Sequence, residues 1–536
     1  MSNKSGQVDV IVIGAGFAGL LAIHKLREMG LSVQCFERGT GVGGTWYWNR
    51  YPGARCDSET PVYSYFFDDE MAKEWIWPER YPTSDEILKY LNWAADRLDL
   101  RRSVRFNTEV TALTYDEATN LWKATTSDGG ELSAKYVITA AGCLSEPQKL
   151  NIPGIDDFAG ETYFTSRWPH EKVDFTGKRV AVIGTGSTGI QTIPVVAQEA
   201  AHVTVFQRTP NYSVPAKNRP LTDAEKKEFA SNFAAYRQGA LSSNGGHLPR
   251  VPGPHEDEIG TDEKALVEAF KVHIAQGGFG FLQNFQSVMV DEKLNDAMAN
   301  AVRDHIKSIV KDPEVAEELL PFDHPVGTKR PCLDTDYYET YNRDNVTLVN
   351  IRKNPISAVT REGIVAGGKE HKLDAIIYAT GFDAVTGPLL HIDIRGRKGQ
   401  SLRDKWAEGP VNYLGLMMAG FPNLFTVTGP LSPSVLANMP SAIDQHINWI
   451  VDCIGAMEKK GAVTIEARPD QEEAWHQHAI EVADMTLFPK ANSWYMGSNI
   501  PGKKRTILPY LGGMIGYRAK CDEVAADDYR AFEVTA

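Results

Sequence analysis

The sequence predicts an α/β chain built from two Rossmann-like dinucleotide-binding domains, the second interrupted by a helical insertion. Two observations carry this prediction. A glycine signature that opens a strand-turn-helix unit occurs twice, and a charged, helix-patterned stretch separates the second copy from the strands that resume after it. The first copy, VDVIVIGAGFAGLLAIHKL, holds Gly14, Gly16 and Gly19; the second, RVAVIGTGSTGIQ, holds Gly184, Gly186 and Gly189. Each follows an apolar run of the kind that forms a buried parallel strand. Each opens a helix whose free N–H groups can hold a pyrophosphate. One such motif is a weak signal. Two in the same context predict two bound dinucleotides and electron transfer between them, and therefore a redox enzyme.

In chain order, the first unit covers residues 1–143. Gly30 is placed to cap its first helix in the left-handed conformation, and the strand LSVQCFE then ends on Glu37. An acidic residue about 20 positions past the glycines is positioned to accept hydrogen bonds from a ribose diol, which suits FAD or NAD. The unit closes on the strand AKYVITAAG. The second unit opens over residues 144–215, where the strand HVTVFQRTP reaches neutral Gln207, then Arg208 and Thr209. A carboxylate there would repel a 2′-phosphate, whereas a guanidinium binds one bidentately, so this site suits NADPH. Residues 216–328 change character. Segments such as LTDAEKKEFASNFAAYRQ, DEKLNDAMANAVRDHIKSIV and DPEVAEELL read as helices, separated by the flexible stretch SSNGGHLPRVPGPHEDEIGT, which together predict a helical insertion. Residues 329–380 return to the second unit through NVTLVNI and LDAIIYATGFDAV, and residues 381–536 return to the first. Gly381, at the end of a β-branched strand, predicts a chain crossover where the backbone approaches a cofactor closely.

Composition excludes several classes. A chain of 536 residues with 42% hydrophobic composition supports several domain-sized units at roughly 100–200 residues each. A net charge of −13 leaves no basic face for nucleic acid. The N-terminal segment MSNKSGQVDV lacks the apolar core of a signal peptide. The six cysteines (Cys35, Cys56, Cys143, Cys332, Cys453, Cys521) show no C-x-x-C spacing, which argues against a zinc site or a redox disulfide and suits a reducing cytoplasm. From Gly409 to Ile443 there is no charged residue, but Pro410, Pro422, Pro430, Pro433 and Pro440 interrupt the run. No single lipid-exposed span accommodates so many prolines. The expectation is a strand, NLFTVTG, followed by a loop buried against a cofactor or an apolar ligand, in a soluble, cytoplasmic protein without a metal.

Four further segments carry a resemblance. GGTWYWNRYPGARCDSE holds Gly43, Gly44, Thr45 and Trp46, then Tyr51, Pro52 and Gly53, then Asp57. FAGETYFTSRWP holds Phe158, Gly160 and Trp168; GTKRP holds Lys329 and Arg330; SWYMGSNIPGKK holds Trp494. On these residues, and over essentially its whole length, the chain resembles the Type I Baeyer–Villiger monooxygenases, which use FAD and NADPH. One position departs. The histidine of the family motif F-x-G-x-x-x-H-x-x-x-W is Phe164 here, which puts the coupling of the two nucleotide units in question. Related N- and S-oxygenating flavin enzymes usually end this motif in Tyr or Phe, and Trp168 sets the chain on the Baeyer–Villiger side.

The resemblance implies that NADPH reduces FAD, that O2 adds to the reduced flavin as a C4a-peroxide, and that this species converts a ketone to an ester or lactone. Such chemistry needs a fixed cation that keeps its proton, a role for arginine, with a pKa above about 12. Arg330 matches the family's catalytic arginine and Asp57 the carboxylate that positions it. The implied cofactor contacts are Gly14, Gly16, Phe17, Gly19, Glu37, Arg38, Gly44, Thr45, Trp46, Asp57, Tyr63, Val110 and Met439 in the FAD-binding parts (1–143 and 381–536). For NADP they are Thr185, Gly186, Ser187, Thr188, Gly189, Gln191, Arg208, Thr209, Lys329 and Arg330 (parts 144–215 and 329–380), with Trp494 on the nicotinamide-side ribose. Lys329, Arg208 and Thr209 resemble a 2′-phosphate clamp. Ser434, Leu436 and Met439 resemble the loop lining the ketone pocket, and Cys143 stands where a glutamine is expected in close relatives. Partners are the small ketone and O2, with no obligatory protein partner. Two other activities compete: N- or S-oxygenation of soft nucleophiles, and uncoupled NADPH oxidation that releases hydrogen peroxide.

Overall fold

The computed structural model describes residues 6–247, 251–260 and 262–536. Residues 248–250 and 261, part of the stretch expected to be flexible, and residues 1–5 of the N-terminal segment lie outside the described residues.

Two sheets organise the chain. In the first the order is Asp393–Arg395, Val110–Asp116, Leu121–Thr126, Glu131–Thr139, Gln7–Ile13, Val33–Phe36, Val104–Arg105, and Leu424–Thr426 also pairs with Glu131–Thr139. Gln7–Ile13 runs parallel to both neighbours, setting Ile13 opposite Phe36 on one side and Thr139 on the other. Its Val10, Ile11 and Val12 are fully buried, as a parallel strand covered on both faces requires. The second sheet is wholly parallel, in the order Val346–Asn350, His202–Gln207, Arg179–Ile183, Ala375–Tyr378, Glu161–Phe164. Each sheet draws its strands from two separated stretches of chain. The helix Phe17–Glu28 that crosses from the first strand to the second ends as its sequence dictates: Gly30 has φ +79, and the N–H of Leu31 returns to the carbonyl of Leu26 at 3.2 Å.

Between the two stretches of the second sheet stand the helices Asp223–Leu241, Glu263–Gln276, Glu292–Ile309 and Pro313–Leu319. Side chains set where they begin. Thr222 and Glu225 form a capping box, and Asp262, Asp291 and Asp312 accept from first-turn N–H groups, satisfying donors that have no partner inside the helix. The apolar stripe of Glu292–Ile309, including Ala297, Val302 and Ile306, joins the core of the second sheet.

The uncharged run is buried against the first sheet. It contains the strand Leu424–Thr426, a single 3-10 turn at Ser434–Leu436, and the start of the long helix Met439–Lys460. Leu414, Asn423, Thr428, Leu431 and Ser434 all have positive φ, between 43° and 60°. For a β-branched residue such as Thr428 this is an outlier that persists only where the surroundings impose it. Among the described residues no helix is long and apolar enough to cross a membrane.

Candidate active site

The two glycine turns share one construction. Gly14 (φ +97) lies on the carbonyl of Ala140 and Gly184 (φ +110) on that of Ala379, and a Cβ at either would fall inside contact distance. Gly19 and Gly189 press in the same way on the carbonyls of Gly14 and Gly184. The middle glycines differ: Gly186 has nothing within 4 Å, whereas a Cβ at Gly16 would come within 3.3 Å of the Gly44 backbone. The helices Phe17–Glu28 and Ser187–Glu199 begin there without a side-chain cap, which leaves their first N–H groups free for a pyrophosphate. Gly381 (φ +82) also has nothing within 4 Å of the Cβ it lacks. These cradles fit two dinucleotides.

A cavity of about 340 Å³ opens beside the first turn. Its wall includes Gly14, Gly16, Phe17, Glu37, Arg38, Gly44, Thr45, Trp46, Asp57, Tyr63, Val110, Cys143, Ser187, Thr188, Gln191, Arg330, Met439 and Trp494. The structure thus brings together residues up to 480 positions apart, from Gly14 to Trp494. Gly19, Thr185, Gly186, Gly189, Arg208, Thr209, Lys329, Ser434 and Leu436 are not in that wall. From the expected ketone loop the wall takes Val435, Ala437 and Met439. The 3-10 turn rotates Ser434 inward, where its hydroxyl donates to the carbonyl of Thr428 at 3.0 Å, and packs Leu436 against the core. Glu37 is 5% exposed, and its carboxylate accepts from the N–H groups of Ala15 (2.9 Å) and Gly39 (2.7 Å).

Arg330 and Asp57 meet in the cavity. Nη2 donates to both carboxylate oxygens at 2.7 Å and Nε to one at 3.1 Å, the bidentate geometry that gives the strongest such pairs. A third donor, Nη1, binds the carbonyl of Val435 at 3.0 Å. The part of the Arg330 side chain left accessible, 33%, faces the cavity. Burial alone would lower its pKa; the Asp57 carboxylate, with Tyr495, outweighs burial and raises it. The guanidinium therefore keeps its proton. Tyr495, adjoining Trp494 and 1% exposed, lies close enough to Arg330 to interact with its charge; the sequence offers no local sign of this neighbour. The loop bearing Asp57 is tied to the second glycine helix: Tyr51 donates to Gln191 at 2.9 Å, and Gln191 donates to the carbonyl of Arg55 at 3.0 Å.

Three thiols surround this pair. Burial raises all of them: Cys143 to about 11, Cys332 to about 12, and Cys56 further still. Among the described residues no group of histidine, cysteine and carboxylate side chains could hold a metal.

The expected phosphate clamp gathers at the ends of two neighbouring strands. Thr209 follows His202–Gln207, and Arg352 follows Val346–Asn350, whose register places Asn350 opposite Gln207. Arg352 donates to the Thr209 hydroxyl at 3.0 Å and to Asp323 at 2.7 Å, while Lys329 lies 3.3 Å from the same carboxylate oxygen. Burial works against ionisation of Asp323, but His324, Lys329 and Arg352 overcome it and hold its carboxyl below the usual range. Burial lowers the Lys329 pKa. Thr185 donates to the carbonyl of Thr209 at 3.0 Å. Neither Arg352 nor Asp323 figured in the sequence reading; the strand register that recruits Arg352 is visible only in retrospect, as RTP after one strand and IRK after the other. Phe164 ends the edge strand Glu161–Phe164 and stacks on Tyr378 at 4.9 Å and 16°, and Trp168 packs on Tyr163 at 5.2 Å.

Known proteins resemble this chain over nearly its whole length. Residues 8–234 match the pyridine nucleotide-disulphide oxidoreductase family. The chain is 45% identical to a Baeyer–Villiger monooxygenase of Pseudooceanicola batsensis, over 97% of its own length and 95% of the relative's. It is 42% identical to a phenazine N-monooxygenase of Lysobacter antibioticus, over 99% and 98%. A solved steroid monooxygenase bound to NADP superposes with a TM-score of 0.93 at 46% identity, covering 99% of each chain. Two dinucleotide cradles around one cavity define a flavin- and NADP-dependent oxidoreductase. The chain belongs to the Baeyer–Villiger monooxygenases. It uses FAD and NADPH, and it oxygenates ketones to esters or lactones.

Proposed function

We propose that ketone oxygenation in this chain is carried by Arg330, held by Asp57, at the wall shared by the two nucleotide sites. The single observation that supports this most is the bidentate Arg330–Asp57 pair opening onto the cavity. When bound in the first cradle, FAD supplies the activation of O2. Arg330 then offers its remaining Nη1 N–H to the oxygen that gains negative charge as the ketone is attacked, and its raised pKa keeps it from giving up a proton there. Glu37 orients the adenine-side ribose while its other lone pairs remain on Ala15 and Gly39. Arg208, Thr209 and Lys329, joined by Arg352, bind the 2′-phosphate of NADPH. Trp494 closes over the nicotinamide side, and closure excludes water from the reacting centre. The ketone is bounded by Cys143, Val435, Ala437 and Met439, an apolar surface with one weak thiol donor. The enzyme works in the cytoplasm without an obligatory protein partner, a placement supported by six free, buried cysteines.

The test is aerobic turnover of FAD-loaded protein with NADPH and a panel of linear, cyclic and aryl ketones, with ester or lactone and hydrogen peroxide both quantified. Ester in proportion to NADPH consumed is the expected result, and Arg330→Ala is expected to cut it about 100-fold or more. Peroxide alone from the wild type, but ester from Phe164→His, would locate a coupling fault in the segment that ends at Trp168. The similarity to a phenazine N-monooxygenase supports a second reading, oxygenation of aromatic nitrogen; a phenazine in the same panel that outpaces every ketone would favour it.

A further inference from the structure

The Arg330 guanidinium is held from two sides. Asp57 holds one, and the carbonyl of Val435 holds the other at 3.0 Å. Val435 belongs to a segment under backbone strain, with Thr428 at φ 51°, Leu431 at 60° and Ser434 at 43°. Something must hold that segment in place. The Ser434 hydroxyl donates to the carbonyl of Thr428 at 3.0 Å, and the N–H of Thr428 donates to Nδ1 of His446 at 2.9 Å. Nε2 of the same ring lies 2.9 Å from the Tyr517 hydroxyl, which donates in turn to the carbonyl of Leu414 at 2.6 Å. A backbone N–H can only donate, so Nδ1 is the acceptor and Nε2 carries the proton toward Tyr517. His446 and Tyr517 are fully buried. Burial lowers the His446 pKa to about 3, so the ring is neutral and its tautomer fixed.

We propose that His446, oriented by Tyr517, is a positioning residue for ketone oxygenation: it anchors Thr428 and, through Ser434, fixes the carbonyl of Val435 against Arg330. Neither His446 nor Tyr517 reaches the cavity wall, whereas Thr428 and Val435 both do. The ring therefore acts on the reacting centre only through this hydrogen-bonded segment. Without its anchor, the strained backbone relaxes and Arg330 loses one of its two supports. The inference rests on the assignment of Arg330 to the reacting centre.

The experiment compares His446→Leu, His446→Asn and Tyr517→Phe, each FAD-loaded, with NADPH and a ketone that the wild type converts. The readouts are the ratio of ester to hydrogen peroxide and the Tm. His446→Leu is expected to lower the ratio about fivefold or more, since small misplacements of catalytic groups cost rates steeply. His446→Asn, whose Oδ1 can accept at the Nδ1 position, is expected to recover most of the ratio while remaining less stable than wild type. Tyr517→Phe is expected to fall between them. A wild-type ratio in His446→Leu with only a lowered Tm overturns the proposal, as does an Asn variant no better than Leu. If His446→Leu does not fold, Tyr517→Phe decides, because it keeps the ring and its volume: a wild-type ratio there overturns the proposal. Arg330→Lys is measured alongside. A wild-type ratio in that variant overturns the reacting-centre assignment itself, whereas a lowered ratio there with wild-type ratios in the other variants overturns only the role of His446.

Discussion

The two nucleotide units begin as near copies and diverge one strand later. Both turns set a positive-φ glycine on a neighbouring carbonyl and a second glycine on the first. After the second strand of the first unit comes a carboxylate, Glu37, at 5% exposure and tied to two backbone N–H groups. After the corresponding strand of the other unit comes Arg208, beside Arg352 from the end of the neighbouring strand Val346–Asn350; the Arg352 side chain is 52% exposed. On the proposed assignment, the first unit would recognise its nucleotide with a group built into the core, whereas the second would use charges in contact with solvent. Buried groups are poorly screened by salt and exposed ones strongly.

The largest test of that contrast is a methyl group. Gly19→Ala is expected to abolish FAD loading and destabilise the fold, because the new Cβ collides with the Gly14 carbonyl inside a covered sheet; bound-flavin absorbance and Tm report both. Gly189→Ala meets the same collision with Gly184, yet it is expected to retain FAD while losing reduction by NADPH. Equal loss of flavin in both variants would break the comparison. Next, Arg208→Gln is expected to raise the NADPH KM roughly 10- to 100-fold, as loss of a charge-assisted contact does, and to lower the preference for NADPH over NADH. Arg352→Gln is expected to do the same by about three- to tenfold, being exposed and shared with Asp323. Both effects should shrink as salt is raised from 50 to 500 mM, as about the Debye length predicts, while FAD retention stays level.

The smallest effect concerns pH. His446 is lowered to about 3 by burial, against about 6.5 in an unfolded chain. Between those values the unfolded state binds the proton and the folded state refuses it, so stability falls as pH falls through that window. His247, lowered to about 4 chiefly by burial, adds to the same trend. Tm measured from pH 7 to 4 should decline less steeply in His446→Asn than in wild type.

The turns, the strands beside them and the capped helices were legible because each is set by neighbours in sequence: glycines before a helix, Thr222 before Glu225, an apolar run before Gly14. The Arg330–Asp57 pair was legible only through the resemblance, since 273 positions separate the two. Arg352, Tyr495, His446 and Tyr517 escaped because nothing local marks them. Arg352 is recruited by the register of two parallel strands, and His446 by a backbone whose strain no residue type announces. The expected ketone loop does border the cavity, but a single 3-10 turn decides that Val435 and Ala437, rather than Ser434 and Leu436, line it.

The three thiols around Arg330 bear on how long the enzyme lasts. Any hydrogen peroxide set free at this cavity by uncoupled turnover would meet Cys56, Cys143 and Cys332. Peroxide attacks thiolate, not thiol, on the path to sulfenic and sulfinic acids. With Cys143 raised to about 11 and Cys332 to about 12, fewer than about one in a thousand of either is ionised near neutral pH. The apolar burial around this cavity thereby makes its own cysteines slow to oxidise.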